Sequence, residues 1–345
     1  MMPSPLRGPG LPVKRMLDRP FGPRRISMKE ILNKQINLNR IEFFITYNCT
    51  SHCDHCSVYT NSIRSNCGPI DINIVENLIN EANDNYNMDS VMTFGGEPLL
   101  YPELVYKIHK TAKKCGIPVR QIITNGCWSN KETRIDEIIS MIADSDVNNI
   151  LVSIDCFHEK YLNYKMVKYT IEQLKKNTKA NIKLHPVWLV NKDDNNTYNE
   201  KTKKILMEFD YLKIPVSAGN ILFPAGRAIE NLSEYLPKPS KSLTGTCKDQ
   251  LYSDMPNNIE SICIEPNGDI VACNRIGNIY ENKLSKILKD YDYMKDPVLK
   301  GIVENGCEGI YSIARDNSIE LSSDGYYSIC ELCKDVSIKL NKINV

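Results

Sequence analysis

No run of eighteen or more apolar residues occurs anywhere in the chain, so hydropathy excludes a membrane-spanning helix. The start of the sequence lacks the basic stretch followed by an apolar one that marks a secretory signal. An excess of charge is missing too. With 43 Lys and Arg against 42 Asp and Glu, nothing draws the whole molecule toward nucleic acid or an anionic membrane surface. These absences lead to the expectation of a cytoplasmic protein with no nucleic-acid and no membrane partner. At 345 residues, 42% hydrophobic and 25% charged, the chain can bury a substantial core, as one large domain or a large one with a smaller companion.

Cysteine is abundant instead. A reducing cytosol does not keep disulfides, so thirteen cysteines point to metal or redox chemistry. Their number is odd, and most lie in two groups: Cys49, Cys53 and Cys56, then Cys247, Cys263, Cys273, Cys307, Cys330 and Cys333. Two metal-cluster regions explain that distribution better than a paired framework. Cys67, Cys115, Cys127 and Cys156 fall outside the groups and are expected to be small buried hydrophobes. The stretch "ITYNCTSHCDHCSVYT", Ile45 to Thr60, also carries His52 and His55. On residue types alone it fits a zinc knot, a disulfide cluster or an iron–sulfur cluster with one open iron.

Residues 1–27 hold six Pro, three Gly and six Lys or Arg but no Asn, unlike the Asn-, Lys- and Ile-rich remainder. This segment is expected to be a disordered leader or an addition foreign to the fold. Beyond it, strand-like runs ("IEFFITYN", "SVMTFGG", "RQIITNG", "NILVSID", "IKLHPVWLV", "KIPVSAGNILF") alternate with stretches carrying apolar residues at three- and four-residue spacing. About six βα units of this kind predict a parallel sheet covered by helices, open or closed into a partial barrel. Functional loops of such folds lie at the C-terminal strand ends. The cysteine triplet follows the first strand, Gly95-Gly96-Glu97-Pro98 the second, Thr124-Asn125-Gly126 the third and Ser153-Ile154-Asp155 the fourth.

CxxxCxxC followed by GGEP at the next strand end resembles the radical S-adenosylmethionine (radical SAM) superfamily. In a chain of this composition CxxxCxxC arises by chance about 0.02 times. The resemblance covers roughly residues 41–223 and implies a partial (β/α)6 barrel over 28–232. It implies that Cys49, Cys53 and Cys56 hold three irons of a [4Fe–4S] cluster whose fourth iron binds SAM, with reductive cleavage to a 5′-deoxyadenosyl radical that abstracts hydrogen from a substrate. Gly95, Gly96, Glu97 and Pro98 are then placed against the methionine moiety, Glu97 near its ammonium. Ser153 or Asp155 is placed at the ribose and Asn125 in the same pocket. His55, where the family usually has another aromatic, is placed against the adenine. The electron is expected from a flavodoxin- or ferredoxin-like reductant, and the protein is expected to be oxygen-sensitive. A structural zinc site on these residues does not explain the GGEP.

On the same rim, His158 and Glu159 in "IDCFHEKY" are candidates for acid/base or substrate-binding roles, Glu159 also for a helix N-terminus. Arg227 in "GNILFPAGRA" is a candidate for a carboxylate of SAM or substrate. In the last third, "CIEPNGDIVAC" reads as a hairpin with a two-residue Asn267-Gly268 loop, "RIGNIYENKLSKIL" as a turn into a helix, and "CELC" as the closing pair. That order resembles the SPASM/twitch-type auxiliary region, expected over 233–345 as a smaller α+β domain. The resemblance implies one auxiliary [4Fe–4S] cluster on Cys247, Cys273, Cys330 and Cys333. Cys263 and Cys307 are left as spare thiols, buried or acting as hydrogen-atom donors. The substrate is expected to be a ribosomal peptide or protein that is epimerised, crosslinked or oxidised, with a small molecule such as a sugar or nucleoside as the alternative. Least expected is a zinc-binding, non-enzymatic protein.

Overall fold

The structure, a computed structural model, describes residues 33–58, 60–61, 66–250 and 253–343. The proline-rich segment 1–27 lies outside the described residues. From β1 (Ile36–Phe44) the chain alternates through α1 (Val75–Asn85), β2 (Ser90–Phe94), α2 (Pro102–Lys114), β3 (Val119–Thr124), α3 (Glu132–Asp144) and β4 (Asn149–Ser153). The short α4 (Cys156–Glu159) and the longer α5 (Tyr164–Asn177) lead to β5 (Asn181–His185). All neighbouring strands from β1 to β5 pair in parallel. β2 is buried along its whole length, as a strand covered on both faces must be. The helices cover the outer face with apolar stripes, Leu104, Val105, Ile108 and Ala112 in α2 and Ile135, Ile138, Ile139 and Ile142 in α3.

The sixth unit is weaker than its sequence suggests. Pro186 follows β5, and the sixth unit holds just the two-residue ladder of β6 (Val187–Trp188) with β7 (Asn220–Ile221), α6 (Thr197–Met207) between them, and an isolated parallel bridge from Leu184 to Val216. Pro186 and Pro215 each lack the N–H that a continuous ladder would use, so the strand expected over 213–223 is reduced to fragments. α7 (Arg227–Leu232) closes this half.

After it, β8 (Ile259–Ile264), β9 (Asp269–Val271) and β10 (Arg275–Asn278) extend the main sheet, whose order is β10-β9-β8-β1-β2-β3-β4-β5. β8 runs parallel to β1, with Ile41 opposite Ile262 and Glu42 opposite Cys263. Two expectations are corrected here. Glu265 N–H donates to Asp269 O and Gly268 N–H to Glu265 O, so the hairpin loop is Pro266-Asn267-Gly268, three residues rather than two. The segment read as a turn begins instead with the strand β10, which pairs antiparallel with β9 before α8 (Leu284–Asp290).

Ile259, Ile262, Ile264, Ile270, Leu284 and Leu288 pack into the same core as the β1–β5 sheet. α9 (Pro297–Asn305), α10 (Cys307–Asp316) and α11 (Ile329–Ile343) build a second core from Val298, Ile302, Ile310, Leu332 and Val336. Of the isolated cysteines, Cys127 and Cys156 are buried as expected, whereas Cys67 is exposed and Cys115 half-buried. Cys115 caps the C-terminus of α2 and lies against Asn80 Oδ1 at 3.2 Å, a helix-end position that half faces solvent.

Ile262 is fully buried in the strand that joins β1. Ile262→Ala is expected to cost about 2–5 kcal/mol, measured by denaturant unfolding. A cost near zero would mean that β8 does not contribute to the barrel core.

Candidate active site

The chain after β1 folds back over the strand ends, and the GGEP backbone holds it there. Gly96 N–H donates to Thr46 O at 2.7 Å and Glu97 N–H to Asn48 O at 2.9 Å. A Cβ on residue 96 would stand 2.0 Å from Asn48 O, so only glycine allows this approach. On the other side, Asn61 brackets Cys49, its Oδ1 accepting from Cys49 N at 2.9 Å and its Nδ2 donating to Cys49 O at 3.0 Å. The loop's far end rests on α7. Arg227 N–H donates to Cys56 O at 2.8 Å, Nε to Cys53 O at 3.3 Å and Nη2 to Thr60 Oγ1 at 2.8 Å. At residue 226, with φ +59°, a Cβ would lie 2.5 Å from Cys56 O. The Arg227 guanidinium is therefore spent on the cysteine loop, and the residue does not line the cavity.

Cys49, Cys53 and Cys56 all line one cavity of about 210 Å³ at the C-terminal strand ends. Gly95 and Gly96 form its wall at β2, Asn125 at β3 and Ser153 at β4, with His55 and His158 on the same surface. Asn125 Nδ2 donates to Thr50 Oγ1 at 3.0 Å and lies 3.6 Å from Cys49 Sγ. Phe44 and Phe94 contribute to the apolar part of the wall, with Val58, Ile123 and Phe223. His52 turns away to the exterior, its Nδ1 3.1 Å from Ser51 O.

Several predicted site residues stand behind this wall. Glu97 is fully buried and tied on both oxygens. Oε1 accepts from Leu99 N at 3.0 Å and Thr124 Oγ1 at 2.8 Å, and Oε2 accepts from Asn125 N at 2.8 Å. Burial outweighs these donors and raises its carboxyl to about 7. Pro98 begins the 3₁₀ turn that follows. Asp155 is also fully buried, receiving Phe157 N and His158 N on Oδ1, both at 3.0 Å, and Val187 N on Oδ2 at 3.1 Å. Of the two β4 candidates, Ser153 faces the cavity. Glu159 pairs with Lys201 at 2.8 Å away from the cavity.

His158 connects the two layers. Its Nδ1 lies 2.9 Å from Asp155 Oδ1, and one of its ring nitrogens lies within 4.8 Å of Cys53 Sγ. Burial opposes charge on both members of the pair. The mutual attraction wins, holding Asp155 well below the usual carboxylate range and His158 well above the usual imidazole range. Burial lowers His55 to about 4. Its ring lies 5.0 Å from that of Phe157 and 4.9 Å from that of His158.

One wall residue escaped the sequence reading. His185, at the end of β5, lies on the cavity with Nδ1 2.6 Å from Ser217 Oγ and no hydrogen-bond partner at Nε2 among the described residues. Its position just before Pro186 at a strand end was the available signal.

Cys247, Cys273, Cys330 and Cys333 gather in the C-terminal region. Burial and the neighbouring thiols push Cys247 up to about 12 and Cys333 well above the usual thiol range. Cys330 and Cys333 stand three residues apart on the first turn of α11, hence on one face. Cys263 lies fully buried in the sheet among Phe44, Tyr47, Met92 and Phe94, beneath the cavity. Cys307 starts α10 inside the second core.

Residues 43–190 match the family model described as the radical SAM superfamily. Two sequences from Methanocaldococcus jannaschii, provisionally named as glycyl-radical enzyme activating enzymes, are 24% and 27% identical over 155 and 136 residues. The matches cover 43% and 39% of this chain but only 60% and 51% of those relatives' own lengths. Among solved structures, anSMEcpe with bound AdoMet is 15% identical at TM-score 0.46, covering 89% of this chain and 98% of that one. BtrN in complex with AdoMet and 2-DOIA is 15% identical at TM-score 0.45, covering 79% and 89%. No helix among the described residues is long and apolar enough to cross a membrane.

Glu97→Gln places an amide N–H₂ against a donor and is expected to cost about 1–3 kcal/mol in unfolding free energy. The folded pKa of about 7 lies above the ordinary 4.5. The contribution of this carboxyl is therefore complete below pH 4.5 and is lost as the pH rises through 7. Melting curves of the metal-free protein should show that decline, and Glu97→Gln should flatten it.

Proposed function

We propose that this chain, a radical SAM protein over residues 43–190, cleaves SAM reductively and uses the resulting radical to abstract hydrogen from a peptide or protein. The convergence of Cys49, Cys53, Cys56, Gly95 and Gly96 on one cavity carries this reading. Three thiols on a short loop suit a cubane with one iron left for a substrate. When bound, such a cluster supplies the electron that breaks the sulfonium bond.

The rest falls to the chain. Gly95 and Gly96 admit the methionine moiety along the β2 end, and Asn125 offers its amide beside Cys49. Ser153 meets the ribose, and His55 stacks on the adenine against Phe157. Glu97 keeps the β2 and β3 ends together instead of contacting the ammonium itself. Asp155 fixes the orientation of His158, and the apolar wall of Phe44 and Phe94 keeps water from the reacting atoms.

Cys247, Cys273, Cys330 and Cys333 would hold one auxiliary [4Fe–4S] cluster, the chemistry four thiols in one place allow. In this reading residues 28–232 form the SAM-cleaving barrel and 233–345 the auxiliary region, which lends β8 to the barrel sheet. A flavodoxin- or ferredoxin-like protein supplies the electron. The relatives named for activating a glycyl-radical enzyme act, by that name, on a protein, which favours a polypeptide substrate over a small molecule.

Anaerobic reconstitution with iron and sulfide should give about eight irons per chain and 5′-deoxyadenosine from SAM plus dithionite. Changing Cys49, Cys53 and Cys56 to Ala should remove about four irons and all 5′-deoxyadenosine. Persistence of that product in the triple variant overturns the reading. Cys330→Ser with Cys333→Ser should remove the other four irons while 5′-deoxyadenosine still forms without added substrate.

A further inference from the structure

The three thiols of the cysteine loop are not equivalent. Cys49 Sγ lies under the Asn125 amide at 3.6 Å and Cys56 Sγ lies 3.8 Å from Thr60 Oγ1. Cys53 alone faces two imidazoles. One sulfur of Cys53 and one nitrogen each of His55 and His158 lie within 4.8 Å of one another. A tetrahedral zinc ion, with Zn–S about 2.3 Å and Zn–N about 2.0–2.1 Å, asks these atoms to close by roughly one ångström, within the range of side-chain rotation.

Two further observations point to a ligand. His55 Nδ1 is inaccessible to solvent yet has no hydrogen-bond partner among the described residues. His158 is anchored through Nδ1 to the buried carboxylate of Asp155, which leaves Nε2 to point elsewhere. That is the carboxylate–imidazole–metal arrangement in which the outer carboxylate orients the ligand.

We propose that, before its cluster is built, the chain binds one zinc ion on Cys53, His55 and His158, with the fourth position open to the cavity, and that this ion blocks cluster assembly. One sulfur and two imidazoles form the borderline set that zinc takes readily. Coordination displaces the thiol proton of Cys53 and the Nε2 proton of the His158 imidazolium to solvent, while Nδ1–H stays on Asp155, and no electron is transferred. Zinc on Cys53 leaves only two free thiols on the loop, too few to hold three irons. The blocking role rests on the functional reading above; zinc binding itself does not.

The test uses full-length protein carrying Cys330→Ser and Cys333→Ser, so that the C-terminal thiols do not compete. Anaerobic titration of the metal-free form with Co²⁺ should give the intense visible bands of tetrahedral cobalt with sulfur ligation, which Zn²⁺ then bleaches at one equivalent. His158→Gln and His55→Phe, the latter keeping a ring against Phe157, should each weaken Zn²⁺ binding at least tenfold, and Asp155→Asn about 10–100-fold. Cys49→Ala and Cys56→Ala should leave the cobalt spectrum unchanged. Preloading with zinc should reduce iron uptake from about four per chain to near zero, and a chelator should restore it.

The inference is overturned if no tetrahedral cobalt spectrum forms, or if Cys49→Ala or Cys56→Ala abolishes the spectrum while the histidine variants keep it. It also falls if zinc-loaded protein takes up iron at the normal level. The histidine variants should still take up about four irons, with folding checked by thermal melting. Uptake of about four irons by protein that keeps both histidines, yet binds no zinc at any stage, would refute only this inference. Zinc binding in a protein that never takes up iron would refute only the functional reading.

Discussion

The contact on which the site depends is a backbone-to-backbone one, the seating of Thr46 to Asn48 on Gly95, Gly96 and the Glu97 N–H. Two hydrogen bonds fasten it, and a side chain at residue 96 would meet Asn48 O at 2.0 Å, far inside van der Waals contact. Without that approach the loop bearing Cys49 would be displaced outward from the strand ends. Glu97 then extends the seat sideways to β3, accepting from Thr124 and Asn125. A buried carboxylate with three donors is expensive to disconnect. The four letters GGEP thus act largely as architecture here, two residues for close approach, one for cross-strand bonding and one to begin a turn.

Charged residues near the cavity follow the same rule. Arg227, Asp155 and Glu97 look from the sequence like ligand-binding groups, because charge at a strand end usually means contact with something polar. The polar partner turns out to be the chain itself: the Arg227 guanidinium on the Cys53 and Thr60 carbonyls, Asp155 on the Phe157, His158 and Val187 amides and the His158 ring. Glu97 and Asp155, which are fully buried, must be satisfied internally. The wall itself is left to shorter or neutral groups such as Ser153, Asn125 and His55, along with His158 and His185.

This separates what was legible in the sequence from what was not. Helix stripes and apolar strands depend on neighbours three to five residues away, and the first five βα units follow the pattern closely. The placement of the cysteine triplet, the glycines, Asn125 and Ser153 on one rim follows from counting strand ends in a parallel sheet. The lie of β8 does not. Its pairing with β1 joins residues about 220 positions apart, and an apolar run such as "IESICI" specifies burial but not partner or direction. The fragmented sixth strand was partly legible in Pro186 and Pro215. The three-residue hairpin loop depended on a backbone hydrogen bond at Glu265 that residue types do not specify.

The parallel pairing of β8 with β1 has a consequence for how the two thiol regions relate. Tyr47, two residues before Cys49, donates its hydroxyl to Glu265 at 2.9 Å, and both side chains are buried. Glu265 lies two residues beyond Cys263 and opens the loop that leads through β9 to Cys273. The cysteine loop and the hairpin therefore grow from neighbouring strands of one sheet and are pinned to each other at their ends. Close-packed interiors resist independent displacement of adjoining strands. The separation between the loop of Cys49 and the strand end at Cys273 is accordingly set by the barrel core, by Ile41 against Ile262 and Phe43 against Ile264, and not by a flexible linker.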